Sequence, residues 1–316
     1  MSYSSELGKS YLLLHIAVFL AGFTGIFGRL VELNEVLITF YRVLFATVLL
    51  LALTVVSKTD RGMSKKDKIR VGRTGLLITV HWILFYGSIK YANVSIGVIC
   101  YTLTSFFTAI FKPMLNRRKP DLVEIGLSAI TILGIAIIFQ TDKVYQLGIL
   151  LGVLSSAFAA LFTIQNERLT QRYDVRAINY YQMVTGSLFM IVLLPAYLYL
   201  FPAVRLAPTL TETIYLVILA SVCTIGLYGL VVIVLKRLSA FTVNLSFSLE
   251  PIYAIILSIV FFHEQRELGV SFLIGALLIL LSFVLQFAFY KRQLTTYLQS
   301  PEKSWINEKK PSNSGN

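Results

Sequence analysis

Residues 240–262 read AFTVNLSFSLEPIYAIILSIVFF, an apolar run whose only ionisable acidic or basic side chain is Glu250. A helix that crosses a lipid bilayer needs about 20 mainly apolar residues, and this run meets that length. An ionisable residue in the middle of such a run is energetically costly, so it is a functional candidate by default. The stretch therefore predicts a membrane-spanning helix with a candidate functional residue near its centre.

Nine further runs of similar length fill most of the chain outward from this one. They lie at 10–31, 35–56, 71–89, 92–113, 122–140, 147–165, 176–200, 212–235 and 269–290. Hydrophobic residues make up 56% of the chain and charged residues 14%, and the gaps between runs are too short for a soluble domain. We therefore predict an all-α membrane protein with ten transmembrane helices.

Ten spans divide into two sets of five, and an odd number of crossings turns the second set upside down. A shift of 146 residues aligns the halves weakly, and a shift of 140 aligns the second and seventh runs. The aligned pairs are Trp82 with Tyr228, Lys90 with Lys236, Tyr101 with Phe247, Thr104 with Glu250 and, at the shorter shift, Arg42 with Gln182. We predict a 5+5 inverted-topology repeat, with repeats at 1–145 and 146–290 and a disordered cytoplasmic tail at 291–316.

Lysine and arginine residues separate by loop, as the positive-inside rule expects. One side would carry Lys9 and the basic clusters at 58–73, 117–119, 168–176, 236–237 and 291–310. The other side would carry only Arg29, Lys90, Lys143, Arg205 and Arg266. This split predicts that both termini lie in the cytoplasm. The net charge of +12 is then explained by topology and by contact with anionic lipid, so no nucleic-acid partner is predicted.

Three stretches carry a family resemblance. They are Phe40-Tyr41-Arg42, the segment IKYANVS at 89–95, and Leu238-Ser239-Ala240-Phe241 running into Leu249-Glu250-Pro251-Ile252-Tyr253. Over residues 10–290 the chain resembles the EamA-type ten-helix permeases of the drug/metabolite transporter superfamily. The resemblance implies an inner-membrane permease, commonly an exporter of amino acids or other small metabolites. The family often carries proline where this chain has Ser105, and Pro113 lies two turns later, so we expect a displaced bend in the first half.

Glu250 and the residues around it are the first candidate site. Pro251 has no amide hydrogen, so we expect it to act as a hinge that leaves the carbonyl of Phe247 unpaired. At 100° per residue, Ser246 and Tyr253 share a helix face with Glu250. This face would offer a carboxylate, a hydroxyl and a phenol to a substrate amine or a proton. A protonated glutamate that only joins two helices is the alternative, and we favour the functional interpretation.

Arg42 is the second candidate, two turns inside its run and too deep for a topology signal. Its guanidinium suits bidentate binding of a substrate carboxylate. A structural pair with an acidic residue or with backbone carbonyls is an equal alternative.

The fourth run carries a polar stripe in which Tyr101, Thr104, Thr108 and Lys112 follow helical spacing. Tyr101 and Thr104 are candidates for the substrate path. Hydroxyl groups on membrane helices also serve helix packing, and both interpretations stay open. We expect Lys112 to extend its ammonium group to water at the cytoplasmic end.

Aromatic residues of the third run are candidate walls of a binding cavity. Trp82 and Tyr86 suit amphipathic solutes, although such rings also occur at membrane interfaces. We interpret the neighbouring His81 as a buried, hydrogen-bonded histidine rather than a proton-coupling group. The spacing of Gly148 and Gly152 predicts a close helix contact within the monomer.

Two classes of activity lack their motifs. Tyr3 occupies the first glycine position of a phosphate-binding loop, so ATP-driven pumping is not predicted. No His-Glu-x-x-His pair is present and no acid–base or nucleophile set can be assembled, so we expect no metal site, no cofactor and no enzyme.

The function predicted from these observations is secondary transport by alternating access. The substrate would be a small metabolite, with an amino acid or an analogue favoured, and export is the expected direction. Protons are a candidate coupling ion. A passive facilitator or channel and a lipid-linked sugar flippase are the alternatives, and the partners under every alternative are a solute or lipid and the bilayer.

Overall fold

The computed structural model describes residues 3–57, 63–138, 145–202 and 205–262, together with part of the segment 274–289. The secondary-structure elements in these residues are helical. The predicted tail at 291–316 and much of the predicted span at 269–290 lie outside the described residues. The positions described between 274 and 289 are helical, as that span predicts.

The first half contains six described helices. They are α1 (Tyr3–Leu30), α2 (Glu35–Ser57), α3 (Lys65–Tyr91), α4 (Val94–Tyr101), α5 (Thr104–Asn116) and α6 (Leu122–Ile138). The second half contains α7 (Gln146–Leu169), α8 (Val175–Leu200), α9 (Leu210–Ala220), α10 (Leu227–Val234), α11 (Ala240–Phe247) and α12 (Glu250–Phe262). A π-helical turn, Ser221–Gly226, joins α9 to α10 without a break.

Six helical segments of the described chain are long and apolar enough to cross a membrane. They are Leu7–Leu30, Glu35–Leu53, Val94–Asn116, Gln146–Leu169, Val175–Leu200 and Leu210–Val234. Among the predicted spans, the third becomes α3, which begins with several charged residues, and the fifth becomes the shorter α6. The all-helical membrane fold follows from these elements, while the total of ten spans stays a prediction.

The two halves share a broken helix at equivalent positions. α4 and α11 begin and end 146 residues apart, and so do α5 and α12. The interruption falls at Thr102 and Leu103 in the first half and at Ser248 and Leu249 in the second. The sequence analysis expected a hinge at Pro251 and a displaced bend in the first half, and it did not foresee that the two runs break at equivalent positions.

Hydrogen bonds between residues three apart, rather than four, accompany both breaks. The amide of Thr102 donates to the carbonyl of Ile99 (3.0 Å), and the amide of Leu249 donates to the carbonyl of Ser246 (3.1 Å). Both bonds join residues three apart and tighten the last turn. In the first half the Ser105 hydroxyl also bonds the Thr102 carbonyl (3.0 Å). The expected displacement of the bend toward Pro113 is therefore wrong, because the break forms without proline.

Helix capping starts α4 and α11 in the same way. The side chain of Asn93 accepts a hydrogen bond from the amide of Ile96 (2.8 Å), and Ser239 accepts from the amide of Thr242 (3.2 Å). Both are side chains that favour the first position of a helix, where amide groups lack partners. Asn93 and Ser239 are themselves 146 residues apart, so the helix before each break begins with the same kind of cap.

Packing follows the same repeat. α3 lies against α7 and α8, while α9, the π-turn and α10 lie against α1 and α2. α4 packs on α12, and α5 packs on α11. The close contact predicted from Gly148 and Gly152 is present, since a Cβ on Gly152 would lie 2.6 Å from the Cβ of Cys100. These contacts between helices of different halves form a central interface, which we call the seam.

Candidate functional site

A small buried cavity lies at the seam, and both halves contribute its walls. It is lined by Ala21, Thr24, Arg42, His81, Trp82, Phe85, Tyr101, Leu227, Tyr228, Phe247 and Glu250. The space open to the centre of a water-sized sphere is about 20 Å³, which is room for about one water molecule. A solute the size of an amino acid can therefore enter only if the surrounding helices separate.

Arg42 is held at one wall by three hydrogen bonds. Its Nε donates to Thr224 Oγ1 (2.8 Å), its Nη1 to the hydroxyl of Tyr86 (2.8 Å) and its Nη2 to the carbonyl of Cys223 (2.9 Å). The guanidinium carbon lies 3.9 Å from the ring centroid of Trp82, which is a cation–π contact. The side chain is only 1% exposed, so these contacts replace water around a buried charge.

The π-helical turn supplies two of these partners. In this turn the hydroxyl of Thr224 donates to the carbonyl of Leu219, five residues earlier (2.9 Å). The wider turn also presents the carbonyl of Cys223 to Arg42. Single π-turns inside longer helices are often found at functional sites. No residue type in the segment signals such a turn, and the sequence analysis missed it.

The hydrogen-bond partners of Arg42 are uncharged. A guanidinium has five N–H donors, and the described residues use three of them, which leaves one on each Nη atom. A guanidinium can bind the two oxygens of a carboxylate through two of its N–H groups. The carboxylate of Glu250 lines the same cavity and is 3% exposed, and no described residue donates a hydrogen bond to it. The cavity thus holds the guanidinium of Arg42 and the carboxyl group of Glu250.

Equivalent positions of the two halves meet at this cavity. The Nε1 of Trp82 donates to the hydroxyl of Tyr228 (3.2 Å), and their ring centroids are 5.4 Å apart. The rings of Tyr101 and Phe247 lie 6.0 Å apart. Both pairs align at the 146-residue shift. A residue can touch its own counterpart only near the axis that relates two repeats, so the cavity lies near that axis.

His81 occupies another part of the wall. Its ring lies 5.3 Å from that of Tyr101 and 5.9 Å from that of Phe85. The Nδ1 atom is 2.8 Å from the hydroxyl oxygen of Ser155 and 3.1 Å from its carbonyl oxygen. The histidine is therefore buried and hydrogen-bonded, as the sequence analysis interpreted it, and it also faces the cavity.

The remaining predicted site residues lie close by but do not line this cavity. Tyr86 touches it through Arg42. The hydroxyl of Thr104 donates to the carbonyl of Tyr101, and that of Ser246 to the carbonyl of Thr242 (2.9 Å). Pro251 lies in the first turn of α12, and the Tyr253 ring packs 5.8 Å from that of Phe19. Their proposed part in transport stays a prediction.

Tyr228 and Phe247 are cavity residues that sequence reasoning did not select. Their signal was present, because each aligns with a selected aromatic residue, Trp82 or Tyr101. The alignment was used as evidence for the repeat and not as a guide to the site. Thr24 and Phe85 gave no signal, since only the packing of their helices brings them to the cavity.

At one end of the seam, the carboxylate of Glu212 connects the two halves. Arg205 binds it with both Nη atoms (2.7 Å each), and Thr209 binds it through its amide and hydroxyl groups. The amide of Glu32, from the other half, also donates to it (2.9 Å). We call these residues the Glu212 network. Hydrogen bonding to Glu212 raises the pKa of Arg205, so the guanidinium stays charged at physiological pH.

The opposite end of the seam is joined by Glu167 and by Asp67. The Lys112 ammonium lies 2.8 Å from Glu167 Oε1, and both side chains are 23% exposed, so the expected extension to water is accompanied by an ion pair. The hydroxyl of Tyr173 donates to Asp67 (2.7 Å). Hydrogen bonds from Ser64 and then Tyr173 hold the pKa of Asp67 below its usual range, so this link persists at neutral pH and is lost as the pH falls through that lowered value.

A helical membrane protein with two matching halves around a charged, aromatic cavity has the layout of a secondary transporter. The sequence model of the EamA-like transporter family matches residues 8–140 and again residues 146–288. The chain belongs to the EamA-like transporter family and is a multi-pass membrane protein. The family resemblance proposed from the sequence is confirmed.

Comparison with solved structures supports the same fold. One, described only as "Crystal structure of protein", is similar with a TM-score of 0.67 at 15% sequence identity. The similarity covers 93% of this chain and 99% of that chain. A search of curated proteins finds no match. At this identity the structural likeness supports the fold, and the chemistry of the site has to be argued from its own residues.

Proposed function

We propose that this protein transports a small zwitterionic metabolite, such as an amino acid or an analogue, across the membrane by alternating access. The observation that carries the proposal is the presence of Arg42 and Glu250 in one buried cavity at the seam. The spare N–H groups of Arg42 would bind the substrate carboxylate. Glu250 would bind its ammonium group or carry a coupled proton.

The rest of the lining supports an amphipathic solute. The cavity has aromatic walls in addition to its two ionisable groups, from Trp82, Tyr101, Tyr228 and Phe247. Binding sites for small molecules commonly combine apolar walls with a few convergent polar groups that fix orientation. An α-amino acid presents the same combination, with a carboxylate and an ammonium group at one end and a side chain at the other.

Alternating access is supported by the links at both ends of the seam. The Glu212 network includes Glu32, which follows Val31, and the Val31 carbonyl accepts a hydrogen bond from Lys90 near the end of α3. The link between Asp67 and Tyr173 lies at the start of α3, and the Lys112–Glu167 pair also joins the halves. A cavity with room for about one water molecule is too small for a solute, which fits a state between two open states. An open pore would instead need a continuous path, so a passive facilitator is the weaker candidate.

The arrangement in the membrane is part of the same proposal. Ten spans in two inverted sets of five would place both termini in the cytoplasm of the inner membrane, with the Glu212 network facing outward. The equivalent breaks in the two halves and the contacts between Trp82 and Tyr228 support a repeat with its axis at the cavity. Export is the direction that the family resemblance favours.

Purified protein in liposomes tests the proposal. Each vesicle sample is loaded with one unlabelled amino acid from a panel and should exchange it for the same amino acid, labelled, from outside. An imposed pH gradient should drive accumulation of at least one amino acid of the panel. Empty liposomes and liposomes with heat-inactivated protein serve as controls. Exchange without accumulation under any ion gradient would favour a passive facilitator, and no exchange of any zwitterion would contradict the proposal.

A further inference from the structure

We propose that His81 is a substrate-binding residue that presents an unprotonated Nε2 to the cavity as a second acceptor beside Glu250. Together they would select a substrate nitrogen that carries N–H groups. The proposal rests on the proposed transport of zwitterions and narrows it to primary and secondary amines. Fully methylated ammonium compounds would be excluded.

The hydrogen bonds of Ser155 assign the tautomer of His81. A backbone carbonyl can only accept, so Nδ1, 3.1 Å from the Ser155 carbonyl oxygen, carries the proton. The Ser155 hydroxyl donates to the carbonyl of His81 (3.1 Å), and its oxygen accepts from Nδ1 at 2.8 Å. Both groups of Ser155 thus hold the proton on Nδ1, which leaves Nε2 with a lone pair.

A purely structural histidine would not need this free nitrogen. The ring is 4% exposed, and Nε2 has no hydrogen-bond partner among the described residues. Nε2 is not one of the fully enclosed polar atoms that lack a partner in the described part of the chain, so it is open to the cavity. Because His81 lines the cavity, a substrate N–H group provides that partner.

The other charged groups of the cavity make an ammonium group the fitting ligand. Glu250 offers carboxylate oxygens, while Arg42 offers only donors. An ammonium group could donate to Glu250 and to His81 at once, with its carboxylate directed to Arg42. A trimethylammonium group has no N–H and would keep only its charge and its contact with the aromatic walls.

Binding of matched pairs tests the selection. Each amino acid of a panel that includes L-phenylalanine is paired with its N,N,N-trimethyl betaine, and affinities are measured on purified wild-type protein by thermal shift and counterflow competition. We expect each transported amino acid to bind at least about tenfold more tightly than its betaine, because a hydrogen bond to a charged group is lost.

Two substitutions separate the roles of the ring nitrogens. His81→Asn keeps a donor near Ser155 but does not reach the position of Nε2, whereas His81→Gln reaches that position with an amide oxygen. We expect about tenfold weaker binding in His81→Asn, with the discrimination against betaine lost, and substantial rescue of both in His81→Gln. ¹⁵N spectra of the wild-type histidines should show one ring with a protonated Nδ1 and an unprotonated Nε2.

The outcomes distinguish this inference from the function on which it rests. Wild-type protein that binds neither member of any pair contradicts the proposed transport of zwitterions. Equal binding of both members, or a His81→Asn variant that binds and discriminates like the wild type, overturns the role of His81 alone. A wild-type His81 ring protonated on Nε2 also overturns it, and this spectrum can be read even if His81→Asn fails to fold.

Discussion

Arg42 carries a buried charge without a carboxylate among its described hydrogen-bond partners. Removing one such ion from water costs several kcal/mol. Each hydrogen bond to a charged group returns about 1.5–3 kcal/mol and a desolvated cation–π contact about 2 kcal/mol, so its three bonds and the contact with Trp82 are of the same order. The guanidinium is therefore held in place with its positive charge still available, which favours a role in binding an anion over a purely structural role.

Glu250 leads to a prediction about coupling. Replacing it with glutamine keeps the shape of the side chain but removes the group that can take up a proton. We expect Glu250→Gln to retain protein stability within about 1 kcal/mol and to lose accumulation driven by a pH gradient. Counterflow in proteoliposomes at several pH values measures the effect.

Glu124→Gln is the matched control, because Glu124 lies on α6 and does not line the cavity. This control should keep the wild-type response to a pH gradient. Wild-type accumulation in Glu250→Gln would show that the coupled proton does not use Glu250.

Residue-level reasoning from the sequence predicted several of the side chains that the cavity brings together. Glu250 and Arg42 were selected because charge within an apolar run is costly, Trp82 because of its ring, and Tyr101 because it belongs to the polar stripe of the fourth run. Tyr228 was passed over, although it aligns with Trp82. The contact between His81 and Ser155 joins α3 to α7 and could not be predicted from spacing along the chain.

At the scale of the helices, glycine residues control how closely α7 approaches its neighbours. A Cβ on Gly152 would lie 2.6 Å from the Cβ and 3.0 Å from the Sγ of Cys100, whereas Gly126 has open space at the same point. We expect Gly152→Ala to lower the free energy of unfolding by about 1–3 kcal/mol, as overpacked cores do. Gly126→Ala should be neutral or slightly stabilising, because alanine favours a helix.

Thermal unfolding of both variants in the same detergent measures this difference. Equal midpoints for the two variants would mean that α7 can move away from Cys100 at no cost. The close packing assigned to Gly152 would then be wrong.

The broken helices show where helix-level prediction from sequence ends. Pro251 indicated a break in the second half, and the absence of proline at Ser105 indicated that the first half would differ. Both halves break at the same place, and backbone hydrogen bonds between residues three apart are present at both breaks. Hydroxyl groups add bonds at the first break, from Thr102 and Ser105, whereas the hydroxyl of Ser248 has no partner among the described residues. A proline reports only that a regular helix is weakened, and the first break forms without one.

At the scale of the whole molecule, the two ends of the seam should control which side of the membrane reaches the cavity. Glu212→Gln weakens the paired hydrogen bonds from Arg205 at one end, and Glu167→Gln removes the ion pair with Lys112 at the other. We expect the two variants to shift the cavity toward opposite sides. Each shift should be several-fold, because a buried or half-buried pair contributes about 1 kcal/mol or more.

Labelling of an introduced cysteine measures this shift. Ala21→Cys, placed in the cavity wall of a chain without Cys100 and Cys223, would react with a membrane-impermeant thiol reagent added to one side of vesicles. Asp174→Asn is the control, because it removes an exposed ion pair with Arg176 inside one half and keeps a good helix cap. Labelling that rises from the same side in both variants would contradict opposed links.

The overall layout was the most predictable level of the structure. The length of an apolar run depends on the thickness of the bilayer, which is the same for every span. For this reason nine predicted spans match helices in the described residues. The cavity was less predictable because its shape depends on contacts between helices far apart in sequence. The repeat alignment supplied part of that information, through pairs such as Trp82 and Tyr228.

The central claim is that Arg42 binds the carboxylate of a zwitterionic substrate in the cavity that also holds Glu250. Competition by an amino acid and by its amide, measured against counterflow in wild-type and Arg42→Lys proteoliposomes, tests it most directly. Lysine keeps the charge but loses the paired N–H groups. We predict that Arg42→Lys weakens binding of the acid about tenfold or more and changes binding of the amide by less than about threefold. Equal losses for acid and amide would contradict the claim and leave Arg42 a structural residue.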